Sequence, residues 1–152
     1  MRRIALVLAL MMVTGPVSAA RYVSLRSDKA FLREGPTYQH RILFVYKRKD
    51  YPLQLLSGYE SWRKVRDADG TTGWMSQTML SDQRTVLVVG KGTAALHAGA
   101  DEGSSVVAKA EPGVVAKLKA CKPQFCEIAA SGQKGWIDRT RIWGVDAGEL
   151  IN

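Results

Sequence analysis

The sequence predicts an all-β protein of two small barrels in tandem behind a short N-terminal leader. Three observations carry this: one order of features occurs twice along the chain, each copy consists of short strands broken by glycine turns, and neither copy shows a helical period. Length and composition agree. The 152 residues are 46% hydrophobic and 24% charged, ordinary values for a globular chain with room for one domain or two very small ones. Fourteen glycines and five prolines against a single asparagine, Asn152, assign the turns mostly to glycine.

The leader comes first. Met1-Arg2-Arg3 is a cationic start, Ile4 to Val13 is an unbroken apolar run of ten, and Gly15-Pro16 then leads into the small residues Val17-Ser18-Ala19-Ala20. That is the three-part layout of a secretory signal peptide. Ten residues reach only about 15 Å as a helix, roughly half the hydrocarbon core, too short for a permanent anchor. Residues 1–19 are therefore expected to be a signal peptide, with cleavage after Ala19 or Ala20 and no cysteine following to carry a lipid. The mature chain is expected to be exported to the periplasm without stable membrane insertion. Loss of Arg2 and Arg3 lowers the formal charge from +8 to +6. In the cytoplasm such a charge would point to nucleic acid, but outside it the polyanions are envelope polymers and lipid head groups, so no nucleic-acid partner is expected.

The repeat sets the domains. The first copy runs through Ala30-Phe31-Leu32-Arg33-Glu34-Gly35-Pro36, Tyr51-Pro52-Leu53-Gln54-Leu55, Trp62-Arg63-Lys64-Val65 and Gly70-Thr71-Thr72-Gly73-Trp74-Met75. The second runs through Ala94-Ala95-Leu96-His97-Ala98-Gly99, Val114-Val115-Ala116-Lys117-Leu118, Phe125-Cys126-Glu127-Ile128 and Gly132-Gln133-Lys134-Gly135-Trp136-Ile137. The offset between them drifts from 64 to 62, two single-residue gaps. The predicted division is barrel one over 20–80, a short joint over 81–85, barrel two over 86–145 and a tail over 146–152.

Within each module the elements are short strands. Val114, Ala116, Leu118 and Ala120 alternate with Val115, Lys117 and Lys119, the period of a half-buried strand. The next strand begins at Phe125 in one module and at Trp62 in the other. Asp69-Gly70 and Ser131-Gly132 are hairpin-turn dipeptides, and a Gly-Trp pair opens a further strand after each. Three strands joined by two hairpins make a meander, and five or so strands per module make a small barrel. The polar joint, Ser81 to Arg84, is too short to let the barrels swing, so they are expected to touch.

Cys121 and Cys126 are the only cysteines. In an oxidising compartment such a pair forms a disulfide more readily than a redox or metal site, and a four-residue hairpin loop, Lys122 to Phe125, would set the two face to face. Two buried thiols that never meet are the alternative.

The Leu-Arg-x-Gly-Pro run at residues 32–36, the W-x-x-V strand from Trp62 and the D-G-x-x-G-W-M hairpin from Asp69 resemble the bacterial SH3-like (SH3b) repeat. The variant they resemble occurs in small exported proteins of Gram-negative bacteria, and the similarity spans both modules. The second module departs from the pattern: His97 stands where Arg33 does, Ala98-Gly99-Ala100 replaces Glu34-Gly35-Pro36, and Phe125 replaces the tryptophan. Its cysteines look like those of the same variant, which supports the disulfide. The resemblance implies two SH3-like barrels that bind, commonly cell-wall peptide or glycan material and often beside a hydrolase domain.

Candidate site residues follow from charge and aromatics. All five tyrosines precede residue 60, and residues 21–80 carry net +5 against +1 for 85–152, so the first module is the expected ligand binder. Aromatic faces beside lysine and arginine suit an acidic peptide or a carboxylate-bearing glycan. If Val65 enters the core then Trp62 faces outward, where it either stacks on a ligand or covers the junction or barrel end. Tyr38, Tyr46, Tyr59 and Trp62 with Lys47 and Arg48 form the expected ligand-binding set; Tyr51, Trp74 and Trp136 are assigned to the core.

Catalysis has little to stand on. His40 and His97 are the only histidines, a disulfide removes the thiol that a Cys/His dyad needs, and Gly90-Lys91-Gly92-Thr93 lacks the spacing of a phosphate loop. No catalytic residue, cofactor or metal is expected. The expectation is a non-enzymatic exported module that recognises peptidoglycan or another envelope peptide or glycan; the alternative is a periplasmic scaffold or adaptor that binds another envelope protein.

Overall fold

A computed structural model of the chain describes residues 21–152; the expected leader, residues 1–19, lies outside the described residues. The first module comprises β1 (Arg21–Leu25), β2 (Ala30–Arg33), β3 (Ile42–Tyr46), β4 (Pro52–Tyr59), β5 (Trp62–Arg66), β6 (Thr72–Ser76) and β7 (Leu80–Ser81). The second comprises β8 (Thr85–Val88), β9 (Ala94–His97), β10 (Val106–Ala110), β11 (Val115–Cys121), β12 (Phe125–Ala130), β13 (Gln133–Asp138) and β14 (Ile142–Trp143). A 3-10 turn, Gln77–Met79 or Arg139–Arg141, precedes the last strand of each. The strand orders are β3-β2-β6-β5-β4-β1-β7 and β10-β9-β13-β12-β11-β8-β14, one antiparallel topology twice. Each module thus has seven strands where alternation predicts about five. The closing strands β7 and β14 are two residues long, too short to show any periodicity in the sequence.

Side-chain alternation places equivalent residues of the two copies in equivalent cores. Val23, Leu25, Leu32, Met75 and Leu80 are buried in the first, and Val86, Val88, Leu96, Ile137 and Ile142 in the second. Each fully buried aliphatic side chain stabilises by about 1.5–3 kcal/mol. The Gly-Trp pairs also gain a physical reason. A Cβ at Gly73 would lie 2.6 Å from the Leu32 side chain and 2.9 Å from the Arg33 carbonyl, and one at Gly135 would lie 2.9 Å from the Leu96 side chain. β2 and β9 cross so close over these positions that only glycine fits.

Trp74 and Trp136, the residues that follow, are half-buried and face outward rather than into the cores, a correction to their predicted placement. Their strand partners Arg33 and His97 lie on the outer side of the crossing strand. Tyr51 is half-buried and packs against the first core, stacked on Tyr46 at 5.7 Å.

Cys121 and Cys126 are cross-strand partners joined by a disulfide. Their counterparts in the first module are Gly58 and Arg63, also cross-strand partners. The two barrels touch. The Tyr22 ring meets Trp143 edge-on at 5.4 Å, Thr85 Oγ1 donates to the Asp50 carbonyl at 2.7 Å, and Arg48 Nη1 donates to the Gly113 carbonyl at 2.6 Å. Ser81 and Thr85 belong to strands, which leaves only Asp82 to Arg84 as the joint.

Candidate binding face on the first module

The site is built on the β4–β5 hairpin and on the loop that leads from β2 to β3. Tyr59 and Trp62 are cross-strand partners beside a tight turn and so project from one sheet face. Lys64, two residues past Trp62, shares that face and pairs with Trp74, which in turn pairs with Arg33. The outer face therefore carries Tyr59, Trp62, Lys64, Trp74 and Arg33 in one continuous patch.

Arg33 fixes the loop above this patch. Its Nη1 donates to the carbonyls of Tyr38 at 3.1 Å and His40 at 2.9 Å, and its guanidinium lies 5.5 Å from the Tyr38 ring centre. The Tyr38 ring is thereby laid edge-on against Trp62, 4.9 Å between centroids. Tyr38 remains 64% exposed and Tyr59 54%, whereas Trp62 is 7% exposed. Two open tyrosine faces thus flank a buried tryptophan floor, with guanidinium and ammonium groups alongside. This arrangement can stack on a flat or ring-shaped ligand and donate hydrogen bonds to its oxygens.

His97 performs the same task in the second module. Its Nδ1 donates to the carbonyl of Ser104 at 3.0 Å, the position equivalent to His40, and its ring packs edge-on against Phe125. The departure of His97 from the arginine of the first copy therefore preserves the loop tie. Glu102 stands where Tyr38 does, so the second module lacks the exposed aromatic.

Of the six residues predicted to bind, the structure brings together three, Tyr38, Tyr59 and Trp62, and sets three apart. Tyr46 is 6% exposed, part of the core, and its hydroxyl donates to Asp67 Oδ2 at 2.9 Å. Burial, and then the Asp67 bond, push that phenol far above its ordinary value, so it stays protonated. Lys47 and Arg48 follow Tyr46, at the opposite end of β3 from the Tyr38 loop, about five residues or some 16 Å away. Arg48 is engaged at the junction through Gly113. These three are corrected out of the binding face.

Sequence reasoning missed Arg33, Lys64 and Trp74. Strand alternation from Trp62 could have found Lys64; Arg33 and Trp74 needed the crossing of β2 over Gly73. Among the described residues no group of three or more His, Cys, Asp or Glu is placed to hold a metal ion, and both cysteines are in the disulfide.

A family profile for the bacterial SH3 domain matches twice, at residues 26–82 and 90–144. The two matches coincide with the two modules, and the chain belongs to the bacterial SH3 domain family, a family of binding domains. No curated protein matches the chain. It is similar to three solved structures: an NlpC/P60 family protein from Bacillus cereus ATCC 10987, and NlpC2 and NlpC1 from Trichomonas vaginalis. The first is 13% identical over 80% of this chain and 55% of that one, with a TM-score of 0.36. NlpC2 is 14% identical over 88% and 52%, TM-score 0.38, and NlpC1 is 13% identical over 90% and 50%, TM-score 0.36. The chain spans about half the length of these proteins.

Proposed function

We propose that this is an exported, non-enzymatic binding protein that holds peptidoglycan or related envelope peptide and glycan material on the outer face of its first barrel. One observation carries the reading: Tyr38 and Tyr59 stand exposed on either side of Trp62 with Arg33 and Lys64 on the same face. Rings of that kind stack on sugar faces, and the cations meet the carboxylates of wall polymers. Membership of a family of binding domains supports the same reading.

The test is co-sedimentation with insoluble peptidoglycan across a salt series. Retention that survives moderate salt is expected, because stacking and hydrogen bonds are screened less than exposed charge. Tyr38→Ala with Tyr59→Ala should abolish it without unfolding the barrel, since both rings are largely exposed. Binding lost at modest salt, or unchanged in the double variant, would overturn the assignment.

A protein partner is the second reading, favoured by the edge strands. Ile42, Leu43 and Phe44 on β3, and Val106 and Val107 on β10, are exposed apolar residues on strands that each have one free edge among the described residues. Retention of an envelope protein in place of wall material would favour it.

A further inference from the structure

The two barrels end differently, and the second shows what the first lacks. After β14 the chain turns back over the end of its own barrel. Val145 and Ile151 pack on the core, and the backbone of Ile151 exchanges both hydrogen bonds with Cys121, at 2.8 and 3.1 Å. Glu149 grips Arg84 with both carboxylate oxygens, at 2.7 and 3.1 Å, and Arg139 donates to the carbonyls of Asp146 and Glu149. A short acidic and aliphatic segment, Val-Asp-Ala-Gly-Glu-Leu-Ile, is thus folded as a turn over the hairpin end and bridged to it at Ile151.

In the first module the chain instead runs on through Asp82 into the joint. The equivalent place is an open cavity of about 430 Å³ walled by Val23, Leu55 and Leu80 and rimmed by Arg21, Arg26 and Arg63. The register makes the correspondence residue by residue. Arg21 stands where Arg84 does, Leu55 where Leu118 does, Leu80 where Ile142 does, and Gln77 where Arg139 does. Gly58 stands where Cys121 does; β1 pairs with β4 only through Leu55, so among the described residues no strand lies on the far side of Gly58. Arg21 holds Asp82 at 2.7 Å, but the two side chains are 68% and 83% exposed, and such a pair is displaced at little cost.

We propose that this open end of the first barrel is a docking site for an acidic, aliphatic peptide segment of a partner protein, folded over it as Val145 to Ile151 folds over the second barrel, with one residue bridged to Gly58 as Ile151 is bridged to Cys121. The segment's carboxylate would take Arg21, and its aliphatic side chains would cover Val23, Leu55 and Leu80. The inference is separate from the wall-binding reading, because it uses none of Tyr38, Tyr59 or Trp62.

The probe is a synthetic peptide of sequence VDAGELI, titrated into the isotope-labelled protein and followed by amide NMR shifts. Saturable shifts centred on Val23, Leu55, Gly58, Gln77 and Leu80 are expected. Replacing the peptide's glutamate by glutamine, or Arg21→Ala in the protein, should weaken binding roughly tenfold. Asp82→Ala should tighten it severalfold by freeing Arg21, a gain that a merely structural role for Arg21 would not produce. Shifts confined to Cys121 and Arg84, or an affinity indifferent to Arg21, would overturn the proposal. So would a dimer that forms at the same protein concentration and is broken by Glu149→Gln, which would make the occupant the tail of a second copy.

Discussion

Tyr46 and Asp67 show how one hydroxyl organises a barrel end. Asp67 is 6% exposed, and its Oδ1 accepts from the backbone N–H of Asp69 at 3.0 Å and of Thr71 at 2.9 Å, while Oδ2 accepts from Tyr46. The carboxylate thereby shapes the Asp69-Gly70 turn that leads into β6. Tyr46→Phe keeps the ring against Phe44 and Tyr51 but strips the donor from a buried carboxylate. A loss of about 1–3 kcal/mol is expected in urea unfolding of the first module, and a change within error would mean that the bond contributes nothing. At this scale the sequence is legible where a single strand decides the answer. Sequence alternation puts Trp62 and Val65, three apart on β5, on opposite faces, and Val65 is fully buried while Trp62 lies outside the core cluster. Yet Trp62 is itself only 7% exposed beneath the Tyr38 ring rather than open to a ligand. It fails where two distant strands must be paired first: Tyr46 is buried because it lies opposite Ala30, and Trp74 faces outward because β2 crosses at Gly73.

The hairpin and the tail are the elements in which the second module departs from the first. The cross-strand cysteines were legible because a short spacing constrains a hairpin locally. The docking of residues 146–152 was not, because a seven-residue tail without periodicity gives no sign of which barrel end it will cover. The disulfide closes a small loop and so constrains the unfolded chain little: reduction should lower the stability of the second module by about 2 kcal/mol at most, without abolishing folding. Reduced protein that loses the second barrel altogether, followed by its amide signals, would contradict this. The tail makes a pH-dependent contribution whose sign is fixed by Glu149. The Arg84 bond, offset in part by burial, holds the Glu149 carboxyl below the usual carboxylate range. Its stabilisation is therefore complete above the unfolded value, about 4.3, and is lost as the pH falls through the lower folded value. The melting temperature of the second module should drop across that acid window, and Glu149→Gln should flatten this part of the profile.

Across the whole molecule the duplication makes two barrels, and a few side chains decide whether they behave as one body. The joint of Asp82 to Arg84 keeps them adjacent, but adjacency alone does not couple their folding. Coupling requires interactions across the seam that break when either barrel unfolds. Tyr22 on β1 supplies the principal one: its ring meets Trp143 on β14 edge-on, and the Arg84 guanidinium lies 5.6 Å from its centre. Burial pushes the Tyr22 phenol above its ordinary value, as expected for a ring enclosed at a seam. The two flanking bonds, Thr85 to Asp50 and Arg48 to Gly113, end on backbone carbonyls of the opposite module, so each breaks if that module's loop opens. A double-mutant cycle on Tyr22→Ala and Trp143→Ala should therefore give a coupling energy of about 0.5–1.5 kcal/mol, the range of aromatic pairs beyond simple burial. Calorimetry gives the second readout. Removing both rings should separate the unfolding of the modules into two transitions, whereas a cycle that sums to zero would show that each ring packs only on its own barrel.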